Sequence, residues 1–347
     1  MSDLKAIFSS FITEHLNNHQ ALPISFEKII SNAVFNLLDS EILIEDNLSA
    51  KPALTKPKVN QALPNFEQTY VIDQLTEQVK STGFGPHFHQ IIGLFGSIML
   101  QMTANEAQQQ QVNDWLEQGY FGHFLMTDLG GPSLNQWQSS LNSTQDQWQL
   151  TINKKWGIEA HNLGFLMLVV RQPGKPFPLT FLIEPEQART LNQSKVGASY
   201  LDNSVQLGNV KGELNINASQ QLKLGGLSSV NRFLTLVRPR FVKALMNHLL
   251  WLADNQRLTL DPQLNEHINY IQNVANRCLA QNEFSIHSVD QVLALKFASN
   301  ELLLDTVSKG KVASFEDQRD LLGFTKMEGS SYRCFLEIYS KQKRFRQ

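Results

Sequence analysis

Near its C-terminal end the chain reads RDLLGFTKMEGSSYR, and the core KMEGSS (Lys326 to Ser331) sets a glutamate directly before Gly-Ser-Ser. Two chemistries fit Glu328. It can be a solvated loop carboxylate, or a base held in a pocket where loss of water raises its affinity for a proton taken from substrate. The other chemistry-bearing residues offer less. Cys278 and Cys334 are the two cysteines, far apart and without Cys or His at ligand spacing, so they read as buried small hydrophobes rather than a disulfide or a zinc pair. His87 and His89 in GPHFHQ alternate as metal ligands sometimes do, but no nearby Cys, Asp or Glu completes a set, and no metal is expected. The closing KQKRFRQ is a short basic tail, read as a solvated end.

Elements must position Glu328, and their order is legible. From residue 1 to about 120 apolar residues recur at helical spacing, in FEKIISNAVFNLL (26–38), FHQIIGLFGSIMLQM (88–102) and AQQQQVNDWLEQG (107–119), with a proline-bearing loop at 47–65. After Gly122 the texture changes to short runs such as DQWQLTINKKWGI, FLMLVVRQ, LTFLIEP and SVQLGNV, broken by Gly, Pro and Asn, which predicts antiparallel strands. Helical periodicity returns from about Val230 in FLTLVRPRFVKALMNHLLWLADNQR, LNEHINYIQNVANRCLAQ and VDQVLALKFASNELLLDTVSKG. The expectation is an α+β chain with an N-terminal helical domain (1–121), a central antiparallel β domain (122–228) and a C-terminal helical bundle (229–347).

Composition narrows the partners. The chain has 347 residues, 42% hydrophobic and 18% charged, with a formal net charge of −2, which argues against a nucleic-acid partner. The N-terminal MSDLKAIFSSFITEHLNNH lacks a basic segment followed by an unbroken apolar core, and no run reaches the roughly 18 apolar residues that span a bilayer. No membrane association and a cytoplasmic location are therefore expected.

Four stretches resemble the acyl-CoA dehydrogenase superfamily. In ANEAQQQQVNDWLEQGYFGHFLMTDLGGPS (104–133), a helix ending at Gly leads into a strand, and Thr127 to Ser133 occupy the register of the family's T-E-P-x-x-G-S; Asp128-Leu129 stand where the family has Glu-Pro, and Pro132 where it has glycine. LTINKKWGIEAHNLGFLMLVV (150–170) resembles its G-x-K-x-W-I-T strand, with Lys154 and Trp156 matching, Gly157 in place of isoleucine and Ile158 in place of threonine. LSSVNRFLTLVRPRFVKALMNHLLWLADNQR (227–257) is similar to the first long helix of the C-terminal domain, with Arg238 at an early arginine and Arg257 at a terminal one. The ending R-D-A-x-x-x-x-I-Y-E-G-T is matched by Arg319, Asp320, Met327, Glu328, Gly329 and Ser330. The Q-x-x-G-G-x-G-Y segment expected just upstream is replaced by VSKGKVASF (307–315).

The resemblance implies an FAD-dependent α,β-dehydrogenase of an acyl thioester, carried by CoA or by acyl carrier protein. Glu328 would be the catalytic base; some members place that base on the long helix, but 225–253 contains no acidic residue. Leu125, Thr127, Ser133, Trp156, Ile158, Arg257 and Ser330 would contact FAD, and Ser133, Arg238 and Gly329 would contact substrate. Trp156 can equally be a packed strand aromatic, Arg238 a helix-start residue before proline, and Arg257 a helix-end cation. An electron acceptor such as electron-transfer flavoprotein and a homo- or hetero-oligomer are implied partners. The altered segments leave two further readings: a non-catalytic, FAD-poor subunit that pairs with an active partner, and a flavin-dependent oxygenase, because isoleucine offers no donor to a ring nitrogen.

Overall fold

A computed structural model describes residues 70–87, 96, 98–131, 133–143, 148–201, 205–281, 284–325, 327–331, 333–335 and 337–338. The periodic run at 26–38, the loop at 47–65, His89 and the tail at 341–347 lie outside these. Contacts divide the chain into two compact units: a helical one holding Asp73–Phe84 and Leu234 onward, and a sheet-based one holding Gly85–Phe233. The helix α2 (Glu106–Glu117) falls in the sheet-based unit.

The sheet unit has seven strands: β1 (Gly122–Leu125), β2 (Ser140–Ser143), β3 (Trp148–Ile158), β4 (Phe165–Arg171), β5 (Pro178–Ile183), β6 (Asn192–Tyr200) and β7 (Val205–Ile216), with the short helix α3 (Pro185–Thr190) between β5 and β6. They run in the order β1-β4-β2-β3-β7-β6, with β5 also on β4. The expected all-antiparallel pairing needs a correction. β1 lies parallel to β4, Gly122 opposite Phe165 and Leu125 opposite Leu168, and β2 meets β4 in parallel at Ser140–Arg171. Parallel neighbours call for strands covered on both faces, and FLMLVV of β4 is buried at every position. By contrast β3 alternates, with Leu150 and Ile152 turned into a core shared with Leu125, Leu168, Phe181, Val210 and Leu214.

Between Lys154 and Gly157 the β3–β7 register shifts, and Trp156 sits on this bulge at φ +57°. Gly157 fills a close approach: a Cβ there would stand 2.5 Å from Leu125 Cδ2 and 2.6 Å from Ala160 Cβ. Glycine in place of the family's isoleucine thus has a packing cause, since Leu125 occupies the space.

The helical unit comprises most of α1 (Tyr70–Thr82) with α4 (Leu227–Asp254) from Leu234, α5 (Pro262–Leu279), α6 (Ile286–Ser308) and α7 (Phe315–Phe324); residues 331, 333–335 and 337–338 are helical too. Good caps mark several starts: Asp261 accepts from Leu264 N, Ser285 from Ser288 N and Ser314 from Asp317 N. An aromatic knot of Phe84, Phe241, Phe324 and His248 ties the end of α1 to α4 and α7, with ring centroids 4.7–6.1 Å apart. The central element is α6, buried at every position from Asp290 to Leu303. A helix apolar all round belongs inside a unit, and this one carries Asp290, Lys296 and Glu301 inside with it.

Candidate active site

Glu328 lies in the helical unit, in the turn after α7. Its backbone is left-handed, φ +54°, which costs a non-glycine residue of order 1 kcal/mol and persists only where the surroundings impose it. Three donors do so. Arg238 Nε donates to the Glu328 carbonyl (2.7 Å), Asn300 Nδ2 to the Gly329 carbonyl (3.1 Å) and Lys296 Nζ to the Phe324 carbonyl (3.3 Å). Gly329 follows at φ +119°, with Arg238 Nη2 only 2.8 Å from where its Cβ would be. No side chain fits between that guanidinium and the turn. Ser330 ends the turn: its carbonyl accepts from Cys334 N (2.9 Å) and its hydroxyl from Arg333 N (3.3 Å), so it starts the last helical stretch.

The electrostatics around Glu328 are unusual for a loop. Burial pushes its carboxyl above the ordinary carboxylate range, opposed by the positive charges of Arg238 and Lys296. Arg238 is 7% exposed and Lys296 wholly buried. Burial pulls Lys296 down to about 7, opposed by Cys334 and Glu328 and assisted by Arg238. Burial likewise raises the Cys334 thiol, whose Sγ is 3.9 Å from the Gly329 carbonyl. The Glu328 backbone N–H donates to no acceptor among the described residues. A carboxylate of raised affinity beside an unused N–H, on a turn braced by cations, can take a proton from a carbon acid and donate a hydrogen bond to the oxygen that gains charge.

Arg238 does not start a helix. It lies in the second half-dozen residues of α4, one before Pro239, and points at the Glu328 turn. Arg257, just past the end of α4, pairs with Asp317 through Nε to Oδ2 (2.9 Å) and a second, Nη2 to Oδ1 contact, and its guanidinium lies 5.2 Å over the Trp251 ring. That is a packed helix-end cation tied to α7.

The remaining expected contacts gather in the sheet unit. The Thr127 carbonyl accepts from Lys155 N (3.0 Å), which joins the end of the β1 segment to the β3 bulge. Trp156 is 37% exposed, with the Lys155 ammonium 4.2 Å over its ring. Thr127 and Ser133 are exposed, and the Thr127 hydroxyl makes no hydrogen bond among the described residues. A part-exposed indole and a hydroxyl with no hydrogen bond among the described residues, on segments joined by the Lys155–Thr127 bond, are groups that suit the edge of a flat heteroaromatic ring such as a flavin. Leu125 is buried in the sheet core. Ile158 offers only its backbone, and its carbonyl already accepts from His123 Nδ1 (3.0 Å).

What holds this turn is a buried ion pair that the sequence reading did not find. Asp128 accepts from Gly130 N (2.9 Å), Gln138 N (2.7 Å) and Ser139 N (3.0 Å), and Lys154 Nζ lies 3.2 Å from Oδ2. Burial opposes the Asp128 charge, but Lys154 and these hydrogen bonds hold the carboxyl below its usual range; burial brings Lys154 down to about 8 against the pull of Asp128. The aspartate that replaces the family's glutamate is thus a structural staple. Lys296 and Asn300 were missed as well. Their signal is a lysine inside an apolar helical run, LALKFASN, followed one turn later by an amide.

Among the described residues no group of three or more His, Cys, Asp or Glu could hold a metal ion, and no helix is long and apolar enough to cross a membrane. No family model and no curated protein sequence matches the chain. Solved structures do match over nearly its whole length. A probable acyl-CoA dehydrogenase from Mycobacterium abscessus aligns at 14% identity and TM-score 0.60, covering 98% of both chains. A glutaryl-CoA dehydrogenase from Mycobacterium smegmatis in complex with FADH2 aligns at 14% identity and TM-score 0.53, covering 97% of both. The prolyl acyl carrier protein oxidase AnaB aligns at 11% identity and TM-score 0.56, covering 92% of this chain and 99% of its own. Identities this low speak for architecture, and on that evidence the chain has an acyl-CoA dehydrogenase-like fold.

Proposed function

We propose that this protein is an FAD-dependent acyl thioester α,β-dehydrogenase in which Glu328 is the base. The observation that carries the reading is the Glu328 turn: a strained, cation-braced backbone presenting a carboxyl of raised proton affinity next to an N–H with no acceptor among the described residues. An α-proton of a thioester is too weakly acidic for an exposed carboxylate, and a desolvated one narrows that gap. Glu328 takes the α-proton while its own N–H donates to the thioester oxygen and stabilises the enolate. Arg238 keeps carboxylate and N–H in one orientation by holding the carbonyl between them. FAD, when bound, supplies the acceptor for the β-hydride; Thr127, Ser133 and Trp156 are the residues that would hold its ring end, Leu125, Ile158 and Ser330 would contribute backbone or cap contacts, and Arg257 would have to exchange Asp317 for the cofactor. The neighbours' coenzyme A and acyl carrier protein chemistry supports a thioester substrate, and an electron-transfer flavoprotein as acceptor and an oligomeric assembly go with this reading.

The visible spectrum with added FAD, followed by anaerobic bleaching with a panel of acyl thioesters, tests it. Bleaching is expected, and Glu328→Gln should slow it by about 10²–10⁴-fold; bleaching at the normal rate in that variant would remove Glu328 from the mechanism. Absence of any flavin band or FAD binding would favour the non-catalytic subunit. A flavin used with oxygen is supported by Ile158, which lacks a side-chain donor and whose carbonyl is engaged by His123. Oxygen uptake with hydroxylated product would select that reading.

A further inference from the structure

Helix α6 sends two side chains, one turn apart, to the two ends of the Glu328 turn. Lys296 Nζ reaches the Phe324 carbonyl (3.3 Å) and also bonds the Asn300 Oδ1, while Asn300 Nδ2 reaches the Gly329 carbonyl (3.1 Å). Both residues are completely buried. Lys296 has no carboxylate within ion-pair distance among the described residues; its acceptors are an amide and a carbonyl, with the Phe241 ring centroid 5.6 Å away. A wholly buried ammonium with only neutral acceptors is costly, and the groups that offset it without touching it are Cys334 and, as the carboxylate among them, Glu328.

We propose that Lys296 is a positioning residue for Glu328: with Asn300 it clamps the Phe324–Gly329 turn, and its buried charge keeps the Glu328 carboxyl ionised so that it can accept a proton. The groups facing the Lys296 ammonium are Glu328, Arg238 from α4 and Cys334 from the last helical stretch; those facing Glu328 are Arg238 and Lys296. Arg238 cannot serve as the adjustable charge, because a guanidinium does not release its proton in proteins. Lys296 can. The two side chains then titrate as a coupled pair, and each must shift the other by the same amount.

The catalytic meaning of this coupling rests on Glu328 being the base, but the coupling itself is a property of the free, full-length protein. It is measured by carbon-13 NMR titration with labelled glutamate Cδ and lysine Cε, the two signals assigned by their loss in Glu328→Gln and Lys296→Arg. In Glu328→Gln the Lys296 midpoint should fall by about one pH unit or more, a tenfold loss of proton affinity. In Lys296→Met the Glu328 midpoint should rise by the same amount, and Lys296→Arg should restore normal thioester bleaching that Lys296→Met slows. A Lys296 midpoint unmoved in Glu328→Gln overturns the proposal, whether or not Lys296→Met folds. Coupled titrations in a protein that neither binds FAD nor bleaches would uphold the clamp and sink the dehydrogenase reading; uncoupled titrations with normal bleaching would do the reverse.

Discussion

Among the described residues each unit of the molecule buries one lysine completely, and the two are treated in opposite ways. Lys154 in the sheet meets a carboxylate that also accepts three backbone N–H groups, and its ammonium adds the Met126 carbonyl (3.1 Å) and the Trp137 ring (4.4 Å to the centroid). Every lone pair of that carboxylate is used for structure. Lys296 in the helical unit is given an amide and a carbonyl, its charge is favoured by Cys334 and Glu328, and the Glu328 carboxylate accepts no hydrogen bond among the described residues. A satisfied buried pair fixes a loop, whereas an unsatisfied one keeps a charge available for reaction.

The contrast is most sharply broken at Asp128. Asp128→Ala leaves Lys154 buried without its anion and orphans three backbone donors, so urea denaturation should show a loss of about 3–5 kcal/mol. A loss well below that range would contradict the staple.

A pH series comes next, because each unit also buries a neutral histidine. Burial lowers both His123 and His248 to about 4, in His123 against a hydrogen bond to the Ile158 carbonyl and in His248 against Asp317, with Arg257 adding to the shift. In the unfolded chain both take protons near 6.5. Between 6.5 and 4 the unfolded state therefore binds more protons, and stability falls as pH drops through that window, by about 3 kcal/mol for each histidine. His248 Nδ1 has no partner among the described residues, and the ring stacks on Trp251 at 5.5 Å. His248→Phe should keep the stack and flatten the acid limb of the helical unit alone; an unchanged limb would show that other groups control it.

Gly329→Ala drives a methyl against Arg238 at a backbone angle that disfavours any side chain, and should cost about 1–3 kcal/mol together with the geometry of the base. The smallest effect distinguishes the two lysines. Lys296→Met removes an ammonium that lacks a carboxylate partner, so stability should change by less than about 1 kcal/mol while bleaching slows. A loss as large as that of Asp128→Ala would make Lys296 a structural residue like Lys154.

Local pattern was enough for much of this. The runs from 233, 264 and 289 became α4, α5 and α6, and DQWQLTINKKWGI, FLMLVVRQ, LTFLIEP and SVQLGNV became β3, β4, β5 and β7. What escaped was short, polar or distant. β1 and β2 have four residues each, too few to show a period, so β1 showed only through the resemblance at 104–133 and β2 not at all, and β6 reads NQSKVGASY, which lacks an apolar alternation. α7 shows in the sequence as an Arg-Asp motif and not as a helix, since all five residues between Phe315 and Leu321 in FEDQRDLLGF are polar. Arg238 and Glu328 came out together only through a resemblance, because 90 residues separate them in the chain. The Asp128–Lys154 pair and the Lys296–Asn300 clamp have no sequence period at all: tertiary contact creates them.

The left-handed backbone at Glu328 also bears on how such a chain would drift. Asparagine and glycine tolerate that conformation better than glutamate does, so the backbone strain that Glu328→Asn or Glu328→Gly relieves works against the loss of the charge that favours the Lys296 ammonium, and the fold should stay about as stable as before. In a lineage with no use for the carboxylate, random substitution would meet no thermal barrier at this position. Glu328 is thus a site where heat tolerance and turnover pull apart, and a melting curve set beside a rate for the same variant reads which of them selection has been preserving.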